Sequence, residues 1–154
     1  HTDEVKGVAF SPDGQLMASV SDDNTIKLWK RDGILVKTLT GHTDEVKGVA
    51  FSFDGRMIAS GSRDQTVKLW TREGKLLATL KDHSQGVLAV DFSPNSKIVA
   101  SASQDGTVIL WDLDQIIDLD RVLAYGCNWV RDYLKHNAEV EPSDQDLCDR
   151  FDAK

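Results

Sequence analysis

The eleven-residue segment HTDEVKGVAFS occurs twice in this chain, at residues 1–11 and again, unchanged, at residues 42–52. The interval is 41 residues, and a third, more diverged copy keeps it: His1, His42 and His83 align, as do Asp23, Asp64 and Asp105, and Trp29, Trp70 and Trp111. No insertion breaks the register, and the first two copies agree at 26 of 41 positions. A period of this length confines the fold to an architecture in which one supersecondary unit recurs and stacks on its neighbours.

Within each copy the apolar residues fall in four short runs. In the first they are VKGVAF (5–10), LMASV (16–20), TIKLW (25–29) and ILVKTL (34–39). Runs of five or six residues are strand length and too short for helices. The breaks between them carry turn chemistry: Ser11-Pro12-Asp13-Gly14 presets a turn with proline and glycine, Asp22-Asp23-Asn24 closes a hairpin, and Arg31-Asp32-Gly33 makes another. Each copy is therefore expected to form one four-stranded antiparallel sheet. Such a sheet has two faces and cannot bury both alone, so the copies must stack face to face and share a core.

The residues that carry this pattern have a family likeness. Gly41-His42, the SPDG turn at 11–14, S-x-D-x-T-[IV]-K-L-W at 21–29 and 62–70, and Trp111-Asp112 resemble the WD-repeat family over residues 1–113. The resemblance implies an all-β fold: three blades of a β-propeller (1–41, 42–82 and 83–113), the third lacking its outer strand. Departures occur in the turns. Phe53 stands at the turn proline, Asp82 at the glycine before His83, Asn95-Ser96 at the Asp-Gly pair, and Lys30 and Thr71 after the tryptophan.

Serine, histidine and aspartate recur together in every copy, and these are the ingredients of nucleophilic acyl transfer. The sets are His1, Ser19, Asp23 with Trp29; His42, Ser60, Asp64 with Trp70; and His83, Ser101, Asp105 with Trp111. The family resemblance implies a different role, a hydrogen-bond chain from Trp through Ser and His to Asp that steadies each blade. Repetition agrees with scaffold rather than with an active site, which is normally unique. The resemblance also implies a binding surface on the loop end of the blades, at Glu4, Lys6 and Asp22, then Glu45, Lys47 and Arg63, then Gly86, Leu88 and Gln104. A protein or peptide partner is expected there, without enzymatic activity or cofactor.

After Trp111-Asp112 the four-strand pattern stops, and apolar residues fall at helical spacing from Leu113 into residues 114–154, at Ile116, Ile117, Val122 and Leu123. A helical tail is expected, with Trp129, Tyr133 and Leu134 on one segment. The stretch RVLAYGCNWVRDYLKHNAEVEPSDQDLCD resembles the ending of long bacterial, especially cyanobacterial, WD-repeat proteins, in which a propeller often follows a signalling ATPase of the NACHT or related type. The chain is accordingly expected to be the C-terminal part of a longer signalling protein. Three blades do not close a ring, so self-association is a further expectation.

Charge and cysteine usage limit the partners. Residues 1–113 carry 15 acidic and 13 basic side chains and residues 114–154 carry 10 and 5, so neither part has the cationic excess of a nucleic-acid binder. No apolar run approaches the roughly 20 residues that cross a bilayer, and no signal-peptide pattern opens the chain. Two cysteines, Cys127 and Cys148, both lie beyond the repeats, so a reducing compartment such as the cytoplasm is expected. With His136 they lack the close Cys pairing of structural zinc sites, and no metal is expected.

Overall fold

In the computed structural model, which describes residues 1–116, the repeats form three antiparallel sheets of four, four and three strands. The first contains β1 (Val5–Phe10), β2 (Leu16–Ser21), β3 (Ile26–Lys30) and β4 (Leu35–Leu39). The second contains β5 (Val46–Phe51), β6 (Met57–Ser62), β7 (Val67–Thr71) and β8 (Leu76–Leu80). β9 (Val87–Phe92), β10 (Ile98–Ser103) and β11 (Val108–Asp112) make the third, and a short α1 (Leu113–Ile116) follows. Strands follow one another in chain order within each sheet, the up-and-down order that short turns dictate. Each sheet has the strand order of the blade that the resemblance implies, and residues 1–113 form one compact unit. The remainder of the expected helical tail lies outside the described residues. Among the described residues no helix is long and apolar enough to cross a membrane.

The third strand of each blade begins one residue later than the apolar run suggests. Thr25 is the reason in the first blade: its amide and its hydroxyl both donate to Asp23 Oδ1, at 3.0 and 2.6 Å. Those bonds commit the threonine to the hairpin turn, and the ladder starts at Ile26. Thr66 and Thr107 repeat the arrangement on Asp64 and Asp105. Position i+3 of the same turn is held in the left-handed region by Asn24 and Gln65 (φ 67° and 70°) and by Gly106 (φ 81°).

Blades stack through their inner strands. β5 packs against β1 and β2, and β9 packs against β5 and β6. The first seam buries Ala18, Val20, Ile26, Leu28 and Leu39 of one blade against Val46, Phe51, Ile58 and Trp70 of the next. Leu28 therefore belongs to the core at 1% exposure, whereas Val8 and Phe10 of the same blade are 60% and 66% exposed. Alternation along β3 explains this, because Ile26 and Leu28 share the face that meets the second blade.

Polar contacts on the turn side reinforce the apolar seam. Arg72 of the second blade donates to Asp13 in the first blade's Pro12-Asp13-Gly14 turn at 2.6 Å, and also to the Gly55 carbonyl. The Ser11 hydroxyl, the Gln15 amide and this guanidinium together hold the Asp13 carboxyl at a pKa of about 2.

Backbones approach most closely where the second blade meets the third. A Cβ placed on Gly48 would lie 3.0 Å from Ala89 Cα and 3.2 Å from both Leu88 O and Val90 N, all backbone atoms that cannot turn aside. At the equivalent Gly7 the nearest atom is a Val20 methyl at 3.3 Å, which can. Gly48→Ala is expected to lower stability by about 1–3 kcal/mol, the usual range for overpacking, and Gly7→Ala by less. Urea denaturation followed by circular dichroism checks the order; equal costs would mean that the second seam yields as easily as a side chain does.

Candidate functional site

Two constellations stand out, one that recurs in every blade at the turn after the second strand and one on the loop end of the first two blades. In the first, the indole Nε1 of Trp29, Trp70 and Trp111 donates to the hydroxyl of Ser19, Ser60 and Ser101 at 2.8, 2.9 and 2.8 Å. The same oxygens lie 2.7, 2.8 and 2.8 Å from Nε2 of His1, His42 and His83. Nδ1 of each histidine then meets Asp23, Asp64 and Asp105 at 2.9, 2.8 and 2.9 Å. With the ring proton on Nδ1, every group has one consistent role: indole gives to serine, serine to histidine, histidine to carboxylate.

Strand register produces this meeting. Trp70 pairs with Ile58 across β6 and β7, which sets Ser60 two residues along the same face, and the turn after β6 brings Asp64 back over His42. His42 and His83 also pack edge-on against Trp70 and Trp111, with ring centroids 6.3 Å apart. Gly41 covers Trp70 so closely that a Cβ there would lie 3.2 Å from the indole ring. Trp70 and Trp111 are buried, whereas Trp29 is only partly so.

Each aspartate accepts more than the histidine. The amides of Thr2, Thr43 and Ser84 reach the same carboxylates at 2.9, 3.0 and 3.0 Å. Thr25, Thr66 and Thr107 add a hydroxyl and an amide each. Burial alone would raise the carboxyls of Asp23 and Asp64; these donors, with His42 in the second blade, hold both below the ordinary carboxylate range. In the third blade the Thr107 hydroxyl is the strongest influence on Asp105, joined by His83, and the direction is the same. The threonines are thus fifth members of each set. Their signal in the sequence was the T of the S-x-D-x-T motif, which recurs as strictly as the aspartate.

The loop-end residues form the second constellation, and the seam between the first two blades runs through it. Lys47 donates to Asp22 of the preceding blade at 2.8 Å and pairs with Glu45 of its own blade at 2.6 Å. Asp22 also holds Lys6 at 3.0 Å, Lys6 in turn pairs with Glu4, and Arg63 closes on Glu45 at 3.1 Å. Lys47 and Lys6 lower the carboxyl of Asp22, and Lys47 and Arg63 that of Glu45. The side chains of Asp22 and Lys47 are only 14% and 20% exposed, while those of Glu4 and Arg63 stand out at 75% and 51%.

The third blade is built differently at these positions. Leu88 is exposed at 44% and Gln104 is exposed, but Gly86 is buried, contrary to the contact position assigned to it from the sequence. Arg63 lies across it, so that a Cβ on Gly86 would meet Arg63 Cα and Cγ at 3.1 Å and Gln104 Oε1 at 3.0 Å. Among the described residues no group of three or more His, Cys, Asp or Glu side chains is placed to hold a metal ion. Cys127, His136 and Cys148 lie outside those residues.

The family model of the WD domain, G-beta repeat, matches residues 1–30, 33–71 and 74–112, most of the chain. The chain belongs to the WD-repeat family. A stretch of 41 residues is 58% identical to the uncharacterized WD repeat-containing protein sll1491 of the cyanobacterium Synechocystis sp., covering 25% of this chain and 12% of that protein. The nuclear distribution protein nudF of Emericella nidulans is 46% identical over 43 residues, 27% of this chain and 10% of its own length. Protein hir1 of Schizosaccharomyces pombe is 48% identical over 42 residues, 27% and 4% of the two chains. The WD-repeat chain thus matches 12% or less of the length of these relatives. WD repeats generally form non-catalytic scaffolds that mediate protein–protein interaction.

Removing one member of a set strands its buried partner. Asp64→Ala and His42→Ala are each expected to cost about 1–3 kcal/mol, the penalty for an unsatisfied buried group. The depressed carboxyls also set a pH dependence. Their stabilisation is complete above the unfolded value of about 3.9 and is lost as pH falls toward the lower folded values. Urea midpoints should therefore drop steeply below about pH 4, and Asp64→Ala should flatten that drop; a variant that follows the parent curve at every pH would mean Asp64 contributes nothing to it.

Proposed function

We propose that this chain is a non-catalytic protein–protein interaction module, a scaffold or sensor that serves a longer cytoplasmic signalling protein and receives its partner on the loop end of the blades. The observation that carries this reading is the ion-pair ladder across the first seam, Lys6–Asp22–Lys47–Glu45–Arg63. Side chains already tied to one another lose little further freedom on binding, which favours a rigid recognition surface. Glu4 and Arg63 point outward from the ladder, and exposed Leu88 adds an apolar contact on the third blade. A partner of mixed character, an apolar side chain flanked by charges of both signs, fits such a surface.

The recurring Ser, His and Asp sets support the non-catalytic side of the proposal. A serine nucleophile must be free to attack and must have room for a substrate. Here Ser60 and Ser101 are 0% and 1% exposed, and an indole N–H occupies each hydroxyl.

The triple variant Glu45→Gln, Lys47→Gln, Arg63→Gln removes the centre of the ladder without touching the Trp–Ser–His–Asp sets. It should keep a cooperative thermal transition and lose partners that the parent chain captures in crosslinking. Capture unchanged by the triple substitution would move the contact surface elsewhere. A fluorophosphonate serine probe should leave the chain unlabelled, and labelling that disappears in Ser60→Ala would establish the hydrolase reading instead.

A further inference from the structure

A cavity of about 700 Å³ opens in the second blade, walled by β7, β8 and the turns that lead into the second and third blades. The second blade has a packed neighbour on each side, since β5 meets β1 and β9 meets β5 and β6. Small-molecule sites fall between about 300 and 1,000 Å³ and are mostly apolar. Here no apolar side chain lines the walls.

Lys68 dominates the chemistry of this cavity. The residue is 8% exposed, and its ammonium donates to Oγ1 of Thr79, its partner across β7 and β8, at 2.9 Å. An ammonium has three N–H donors, and among the described residues Lys68 has no other acceptor and no carboxylate in ion-pair range. Thr79 accepts that bond and keeps its own hydroxyl hydrogen to give. Lys81 lines the same cavity and is likewise without a carboxylate among the described residues. Asp64, also in the wall, is fully engaged: Oδ2 accepts from His42 and the Thr43 amide, and Oδ1 from the amide and hydroxyl of Thr66. Taking an ammonium out of water is costly unless an anion compensates it, and no side chain of the blade does so for Lys68.

The other blades do not repeat the arrangement. At the positions of Lys68, Thr79 and Lys81 the first blade has Lys27, Thr38 and Thr40, one cation fewer, and the third blade has Ile109 where Lys68 stands. A device that steadies the fold recurs in every blade, as the Trp–Ser–His–Asp sets do; this one is built once.

We propose that the cavity binds a phosphoryl group, free or carried on a small polar molecule, with Lys68, Lys81 and the Thr79 hydroxyl donating to its oxygens. Three separate donor groups match the three terminal oxygens of a phosphate ester, whereas a carboxylate has two oxygens to offer. Lysine serves phosphate as a compact point charge. Thr43, Gln65 and Ser84 complete the wall with polar groups suited to the hydroxyls of the rest of the molecule. The site shares no residue with the ion-pair ladder at the loop end, so its occupant is distinct from the partner expected there.

NMR titration of the isotope-labelled 154-residue chain with inorganic phosphate, glycerol phosphate, acetate and glycerol, at constant ionic strength, tests the proposal. Both phosphates should give saturable shifts confined to the amides of Thr43, Gln65, Thr79, Lys81 and Ser84, and glycerol none. Tighter binding of glycerol phosphate assigns an organic phosphate to the site; equal binding assigns the free ion. Lys81→Gln, on an exposed side chain, should weaken binding about tenfold or more, the loss of one hydrogen bond to a charged group. Lys68→Met, which keeps the apolar stem, should abolish it. Phosphate should also raise the thermal midpoint of the parent by mass action and leave that of Lys68→Met unmoved, a contrast that a lysine serving only to tie β7 to β8 does not produce. Shifts that never saturate, shifts spread over lysines elsewhere on the surface, acetate binding as tightly as phosphate, or binding unchanged in Lys81→Gln would each overturn the proposal, and the Lys81→Gln result decides even if Lys68→Met does not fold.

Discussion

A four-stranded sheet with apolar residues on both faces is stable only when both faces are covered, and everything else in this molecule depends on that requirement. The repeated VKGVAF segment isolates it. Backbone, sequence and pairing partner are equivalent in β1 and β5, yet Phe10 is 66% and Phe51 8% exposed. The difference is the neighbouring blade. At about 25 cal/mol per Å² of apolar surface removed from water, the stacking contact outweighs any local preference in these short strands, none of which is stable by itself.

Stacking of apolar faces is non-directional, and something must set the angle and register at which blades meet. The Trp–Ser–His–Asp chains do this from inside each blade by tying the second and third strands to the loop that leads in. Among the described residues no buried side-chain nitrogen or oxygen lacks a hydrogen-bond partner, and a fully satisfied network of that kind penalises slippage because every displaced member would be left unpaired. At the seam itself, Arg72 on Asp13 and Lys47 on Asp22 tie adjacent blades at two separate points. The loop-end surface proposed for binding is thus partly a by-product of assembly: the charges that face a partner also hold one blade to the next.

The second seam shows how the same repeat can be tuned. Arg63 replaces Asp22 and Leu88 replaces Lys47, so that ion pair is absent, and the blades approach through Gly48 and Gly61 instead. A Cβ at Gly61 would come within 2.6 Å of Val87 Cγ1. Closeness of packing takes over from charge, and the price is intolerance of any side chain at those two glycines.

Much of this was legible in the residues alone. Strand number and turn positions follow from a period of 41 and from turn chemistry, because both are local properties of the chain, whereas the joining of each Trp, Ser, His and Asp into one set was implied by the family resemblance. The strand ends were misplaced by one residue where Thr25 turns its hydrogen bonds to Asp23, a choice that a β-branched residue beside an apolar run does not reveal. Which face of each blade is buried, why Leu28 is core and Phe10 surface, why Gly86 lies under Arg63, and how Lys47 reaches Asp22 were decided only by the tertiary structure. Identical segments have identical local propensities, and burial is a property of what a face meets, which no single copy of the repeat contains.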